Sequence, residues 1–330
     1  MAQATPQQPP PGPTRSAASH LFTDPDAYTV ANGLIGSRVM GRMPGRFRAR
    51  IAVLDLDQAT IIVGRATNPV TMRGNIKAVH AFTLGTSSGA PRHLSGREVQ
   101  FGQIFHHRPN ESFVGHSPTG HPWPFGTIAV TFETLQRLAP AYAGQDIVPS
   151  QQDSTLVTAA PAARDRLIAL LHDASGLAEL HPEIAETEAP GHSLTGATLD
   201  AVIACLVQGR PEPDRAAIRR HNLSVARVEA LLEDRPEHPW GSAEICAAIG
   251  ASERTLNLAC REFHGSSPMK VVRDRRLDAV HAALHRSDPQ STTIAVEAMR
   301  FGFWELGRFA AAYRERFGER PSDTLRRPAG

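Results

Sequence analysis

Two segments near the C-terminal end repeat one pattern, and no other feature restricts the fold as much. The first, SAEICAAIGASERTLNLACREFHG over 242–265, runs from a short apolar-spaced stretch through Gly250 and Ser252 into a longer one. The second, TIAVEAMRFGFWELGRFAAAYRERF over 293–317, repeats the order with Gly302 at the break. Gly250 and Gly302 supply the backbone freedom of a tight turn, and the Ser252 hydroxyl is placed to accept a backbone N–H at the start of the next helix. At 100° per residue Leu256, Ala259, Cys260 and Phe263 share one side of that helix, whereas Arg254, Asn257, Leu258 and Arg261 share the other. In the second copy Leu306, Phe309, Tyr313 and Phe317 line one side, with Trp304, Arg308, Ala311 and Arg314 on or toward the opposite one. Each segment reads as a helix-turn-helix.

The outward residues have the chemistry that base edges need. Arginine pairs with guanine acceptors, asparagine bonds adenine through two contacts, and an exposed leucine touches a thymine methyl. Arg254, Asn257, Leu258 and Arg261, with Trp304, Arg308 and Arg314 from the second copy, are therefore the candidate base-reading set. Ser252, Thr255, Lys270, Arg273, Arg275, Arg276, Arg326 and Arg327 are the candidate phosphate contacts. A charged helix face taken alone is more often just solvated; the repeat raises the reading above that. Between the motifs, 268–285 predicts a helix of about 18 residues and about 27 Å, long enough to set two reading helices in successive major-groove segments about 34 Å apart.

The rest of the chain contrasts with this. At 330 residues it predicts two folded units, with 41% apolar and 21% charged residues as in an ordinary globular protein. Its 35 basic residues nearly balance 33 acidic ones, so the net charge of +2 does not by itself point to a nucleic-acid partner, and placement must. Residues 1–20 are rich in Pro, Gln, Ser and Ala and read as a mobile tail. Short β-branched runs at 50–54, 60–63, 78–82 and 127–132, broken by Gly and Pro, predict an antiparallel sandwich or barrel within 21–160. Helical spacing returns at 164–171 and 194–207, giving a helical connector over 161–221, and Leu223–Leu232 predicts another amphipathic helix. With no apolar run of membrane-spanning length and no secretory pattern at the start, a cytoplasmic location is expected. Cys205, Cys246 and Cys260 lack the spacing of a disulfide or zinc framework and read as small core residues.

The text ERTL at 253–256, Ser267-Pro268, and GFWELGRFAAAYRERFGERPSDTLRR at 302–327 resembles the C-terminal domain of the AraC/XylS family of transcription regulators, in its WELGRF form. The resemblance covers about Asn222 to Arg327. It implies an all-α domain of seven helices in two subdomains with a double helix-turn-helix, and reading helices at 253–264 and 304–317. It implies a cupin-like β domain ahead of it for effector sensing or dimerisation, so that the whole is an α+β multidomain protein. The expected function is a sequence-specific regulator, an activator by the commoner family role. Double-stranded promoter or operator DNA, a small-molecule effector, RNA polymerase and a second copy of the chain are the expected partners. Neither a cofactor nor a membrane is expected. Three departures stand out: Cys246 at a usual alanine, Glu297 at an aliphatic core position, and Ala311 beside Gly307 in the second reading helix. Glu297 predicts a rotated or strained helix, and the two small residues predict fewer base contacts from the second motif.

The alternative is an enzyme, either a metal-dependent cupin or catalysis fused to the DNA-binding module, because the β region carries His80, His93, His106, His107, His116 and His121. Against it, FHHRPNESFVGHSPTGHPWPFG over 105–126 reads first as a surface loop, and no phosphate-binding GK[ST] loop or Gly-x-Ser-x-Gly elbow is present. No metal ligand or catalytic residue is assigned.

Overall fold

Strand β3 (Ala49–Leu56) shows how the N-terminal half is layered. Its Ala49 and Ile51 belong to one buried cluster, and its Ala52, Leu54 and Leu56 to another. A strand points successive side chains to opposite faces, so a strand buried on both sides reads as a nearly unbroken apolar run. This is why the sequence here shows runs rather than alternation. The structure, a computed structural model, describes residues 15–23, 28, 38–41, 47–67, 70–116, 123–138, 153–212 and 216–326, and side chains throughout these except at 38–41, 70, 71, 116, 123 and 216–223.

The central sheet has eight strands, in the order β1 (Ser16–Phe22), β3, β4 (Ala59–Ala66), β11 (Trp123–Val130), β6 (His80–Gly85), β9 (Gln103–His107), β12 (Thr155–Thr158) and β13 (Arg210–Pro211). A second sheet runs β2 (Arg38–Gly41), β5 (Val70–Asn75), β10 (Ser112–His116), β7 (Arg92–Leu94) and β8 (Arg97–Val99). All pairings are antiparallel. Phe105, Phe113, Phe125, Met72 and Leu94 fill the space between the sheets. A short helix, α1 (Phe132–Leu138), follows β11. On the other face of the central sheet lie α2 (Pro161–Leu180), α3 (Pro182–Glu186) and α4 (Glu188–Gln208), with Leu167, Leu171, Leu199 and Val202 packed on Leu54, Ile61, Phe82 and Ile128.

Three expectations change. Ser16–Phe22, whose residues 16–20 are expected in a mobile tail, is an edge strand paired in register with β3 from Ser16 opposite Asp55 to Phe22 opposite Ala49; residues 1–14 lie outside the described residues. The expected connector helices form a third layer, because their apolar stripes cover the sheet face that the second sheet leaves bare. The 105–126 segment is not a surface loop: it contributes β9, β10 and β11 and buries His106 and His107. Turn-forming residues there end strands without preventing them. His121 and the side chain of His116 lie outside the described residues.

The C-terminal part is helical: α5 (Ala216–Asp234), α6 (Ser242–Ile249), α7 (Glu253–His264), α8 (Pro268–Arg286), α9 (Ile294–Arg300), α10 (Leu306–Phe317) and α11 (Pro321–Leu325). Val228, Leu232, Ile245, Leu256 and Cys260 form one core with Val271 and Val272 from the start of α8. Ala298, Phe301, Phe309 and Tyr313 form another with Leu277, Val280 and Leu284 from its end. Cys205 and Cys260 are buried free thiols and Cys246 is half-buried.

His80 and His106 are fully buried, stacked 5.1 Å apart, and joined from Nδ1 of His80 to Nε2 of His106 at 2.8 Å. Burial, reinforced by His80 and His107, pulls His106 down to about 3, and burial lowers His80 as well. An unfolded histidine takes its proton near pH 6.5, so below that pH the unfolded chain binds protons that the folded chain refuses. Stability is therefore full above pH 6.5 and falls as pH drops toward 3. Urea unfolding should show His106 alone costing about 2 kcal/mol between pH 7.5 and 5. In His106→Gln that part of the loss should disappear; an unchanged slope would assign the acid sensitivity elsewhere.

Candidate nucleic-acid interface

The first turn is set by Gly250, which sits in the left-handed region at φ 67°. No Cβ is tolerated there without strain, and the chain reverses between α6 and α7. Ser252 then caps α7, its Oγ accepting from the Thr255 N–H at 3.2 Å. Thr293 caps α9 through the Val296 N–H at 3.2 Å, and Gly302, at φ 81°, turns the chain toward α10. Caps of this kind satisfy donors that a helix end otherwise leaves open.

On α7 the inward and outward sets separate as the spacing requires. Leu256, Ala259, Cys260 and Phe263 are buried, and Arg254, Leu258 and Arg261 are exposed. Asn257 is half-buried, and its Nδ2 donates to the Glu253 carbonyl at 2.9 Å. The second Nδ2 hydrogen and Oδ1 remain for the two contacts that adenine requires. In the second motif α10 starts at Leu306, so Trp304 precedes the helix and stands 75% exposed at its entrance. Arg308 and Arg314 are exposed, with Arg308 paired to Glu305 at 2.9 Å. Phe309 and Tyr313 are buried as expected, but Leu306 remains 37% exposed because it opens the helix rather than lying within it.

The phosphate set divides. Arg273 and Arg326 are exposed, Lys270 pairs with Asp274 at 3.2 Å, and the Thr255 hydroxyl meets Ser252 Oγ at 2.9 Å. Arg276 is half-buried beneath the second turn and donates to the His238 carbonyl at 3.4 Å. Arg275 does not face outward: its guanidinium pairs with the buried carboxylate of Glu229 on α5, so the expected phosphate contact is an internal ion pair. Arg327 lies outside the described residues.

Two further groups position the motifs. Arg316 clasps Asp278 through two bonds, at 2.6 and 3.0 Å, and reaches Asp274 at 3.3 Å, tying α10 to α8. The i,i+4 acidic pair on the predicted helix was the available signal. Glu297 faces inward, 7% exposed, while its neighbour Val296 is 58% exposed. Thr292 donates to its Oε1 at 3.1 Å, Oε2 has Arg300 at 3.8 Å but no hydrogen bond, and α9 is nonetheless a regular helix. The carboxylate, not the backbone, bears the conflict.

Residues 245–327 match the family described as helix-turn-helix domain. The segment is similar to the XylDLEGF operon transcriptional activator 2 of Pseudomonas putida, 34% identical over 99 residues, which covers 30% of this chain and 63% of that protein. It is also similar to the probable thc operon regulatory protein of Rhodococcus erythropolis, 34% identical over 95 residues, 29% of each chain. A probable AraC family transcriptional regulator from Rhodopseudomonas palustris CGA009, of known structure, is 34% identical over 32% of this chain and 98% of that one, with a TM-score of 0.30. The chain spans less than two thirds of the length of the first two relatives. The C-terminal segment is thus a DNA-binding helix-turn-helix domain. In sequence this domain is of the AraC/XylS type found in transcription activators.

Since Oε2 of Glu297 is buried without a hydrogen bond, Glu297→Leu should raise the stability of the full chain by about 1 kcal/mol in thermal or urea unfolding. A loss of similar size would show that the carboxylate is bound more firmly than its contacts imply.

Proposed function

We propose that the protein is a sequence-specific transcription regulator, with activation the expected role, whose N-terminal domain senses a small molecule or mediates dimerisation. The observation that carries this is the pair of capped helix-turn-helix units built on one helix. Each has its own core, and α7 turns Arg254, Leu258 and Arg261 to solvent. At 1.5 Å per residue the 19 residues of α8 extend about 28 Å, which suits reading helices set in neighbouring turns of the major groove. Arg254 and Arg261 are the principal base readers in this view. Asn257 joins them, and Trp304, Arg308 and Arg314 serve the second segment. Lys270, Arg273 and Arg326 hold phosphates. The all-α domain takes the two-subdomain, seven-helix form of its family, and the layered β domain is the counterpart of a cupin-like sensor.

Support for sensing comes from a small, largely apolar cavity of about 20 Å³ between the two sheets. Met72, Leu94 and Phe113 line it from one sheet, and Thr83, Phe125 and Thr127 from the other. The walls suit an apolar effector, and the sheets must part to admit one.

Selection of bound sites from a random DNA pool tests the reading, with the full chain at a fixed salt concentration. One motif should emerge, and Arg254→Ala should lose about 1–3 kcal/mol on it and relax preference at a defined base, whereas Arg273→Ala should weaken all sequences alike. Equal losses on every sequence for both variants would remove base reading from α7.

A further inference from the structure

The two halves of the chain meet at a contact that the regulator reading does not use. Arg73 stands on β5 directly after Met72. Side chains alternate along a strand, so Met72 points into the space between the sheets and Arg73 points away from it, toward the helical domain. There its Nη1 donates to Glu229 Oε2 on α5 at 2.5 Å, and its Nη2 lies 3.3 Å from Nδ1 of His264, near the C-terminal end of the first reading helix. His264 Nε2 in turn lies 3.2 Å from Glu229 Oε1. The Arg73, His264 and Glu229 side chains are 11%, 4% and 10% exposed.

A second grip lies on the same sheet. Ser95 and Gly96, both at positive φ, make the two-residue turn between β7 and β8. A Cβ on Gly96 would come within 2.4 Å of the Phe263 ring, so the aromatic ring of α7 rests against bare backbone. The strands that hold α7 from outside also line the space between the sheets from inside, through Met72 on β5, Leu94 on β7 and Phe113 on β10.

The charge arrangement suits a contact that opens. Arg73 and Arg275 share the one carboxylate of Glu229. Removing a sole partner strands a buried charge at a cost of several kcal/mol. If the sheet withdraws, Arg73 returns to water and Glu229 keeps Arg275, so neither domain is left with an unpaired buried ion.

We propose that the five-stranded sheet is a transmission plate: its inner face registers the packing between the sheets, and its outer face, through Arg73 and Gly96, sets the position and mobility of the first reading helix. The proposal rests on the regulator reading for its purpose but not for its existence.

Amide hydrogen exchange on the full chain, without DNA, tests it. Arg73→Met should speed exchange across 253–264 by about tenfold while β4 and β11 keep their protection. Phe113→Leu, which alters only the inner face, should also speed exchange in 253–264, by about threefold, and should add little in the Arg73→Met background. Met72→Leu serves as the inner-face variant if Phe113→Leu fails to fold. Independent, additive effects, or an inner-face change that never reaches 253–264, would overturn the proposal. Coupled exchange in a protein that selects no DNA sequence would leave the plate standing and sink the regulator reading instead.

Discussion

Helix α8 belongs to two cores at once, and the geometry of the DNA-binding domain depends on this. Val271 and Val272 at its start complete the core under the first motif, and Leu277, Val280 and Leu284 complete the one under the second. A helix has a fixed rise and rotation per residue. The distance and twist between the two motifs are therefore set by how many residues separate those two apolar groups. Arg316, clasped by Asp278 and Asp274, adds a polar clamp that keeps α10 in register with α8.

The β domain is organised by a different constraint. Its central sheet is buried on both faces, so something must cover each, and the second sheet and the helices α2 and α4 do so. The same arrangement carries His80 and His106 into the side facing the helices and His107 into the side facing the other sheet. A polar ring is retained there only where a partner meets it, as the 2.8 Å contact between His80 and His106 does.

How far the sequence could be read followed from the range of the interactions. The turn at Gly250, the Ser252 cap and the two faces of α7 are local, decided by residues within a few positions, and the spacing showed them directly. The strands at 49–56 and 59–66, and the 127–130 part of the strand at 123–130, were visible because burial on both faces made their apolar runs continuous. Ser16–Phe22 was not visible, since an edge strand with small, polar residues owes its shape to pairing with β3. The layer formed by α2 and α4 escaped because a stripe of alanines and leucines does not announce what it will cover. Arg275 was misread for the same reason: an arginine on a helix looks alike whether it meets phosphate or Glu229, and only the fold decides. Arg73 gave no signal, its partners lying more than 150 residues away along the chain.

The separation of the two cores along α8 also bears on how such a domain can change over time. Substitutions that share no contacts act nearly independently. A new side chain at Arg254 or Arg261, both on the exposed face of the first motif, leaves Phe309 and Tyr313 in the second core undisturbed. Each motif can thus change on its own, while the shared helix holds constant the spacing between the two.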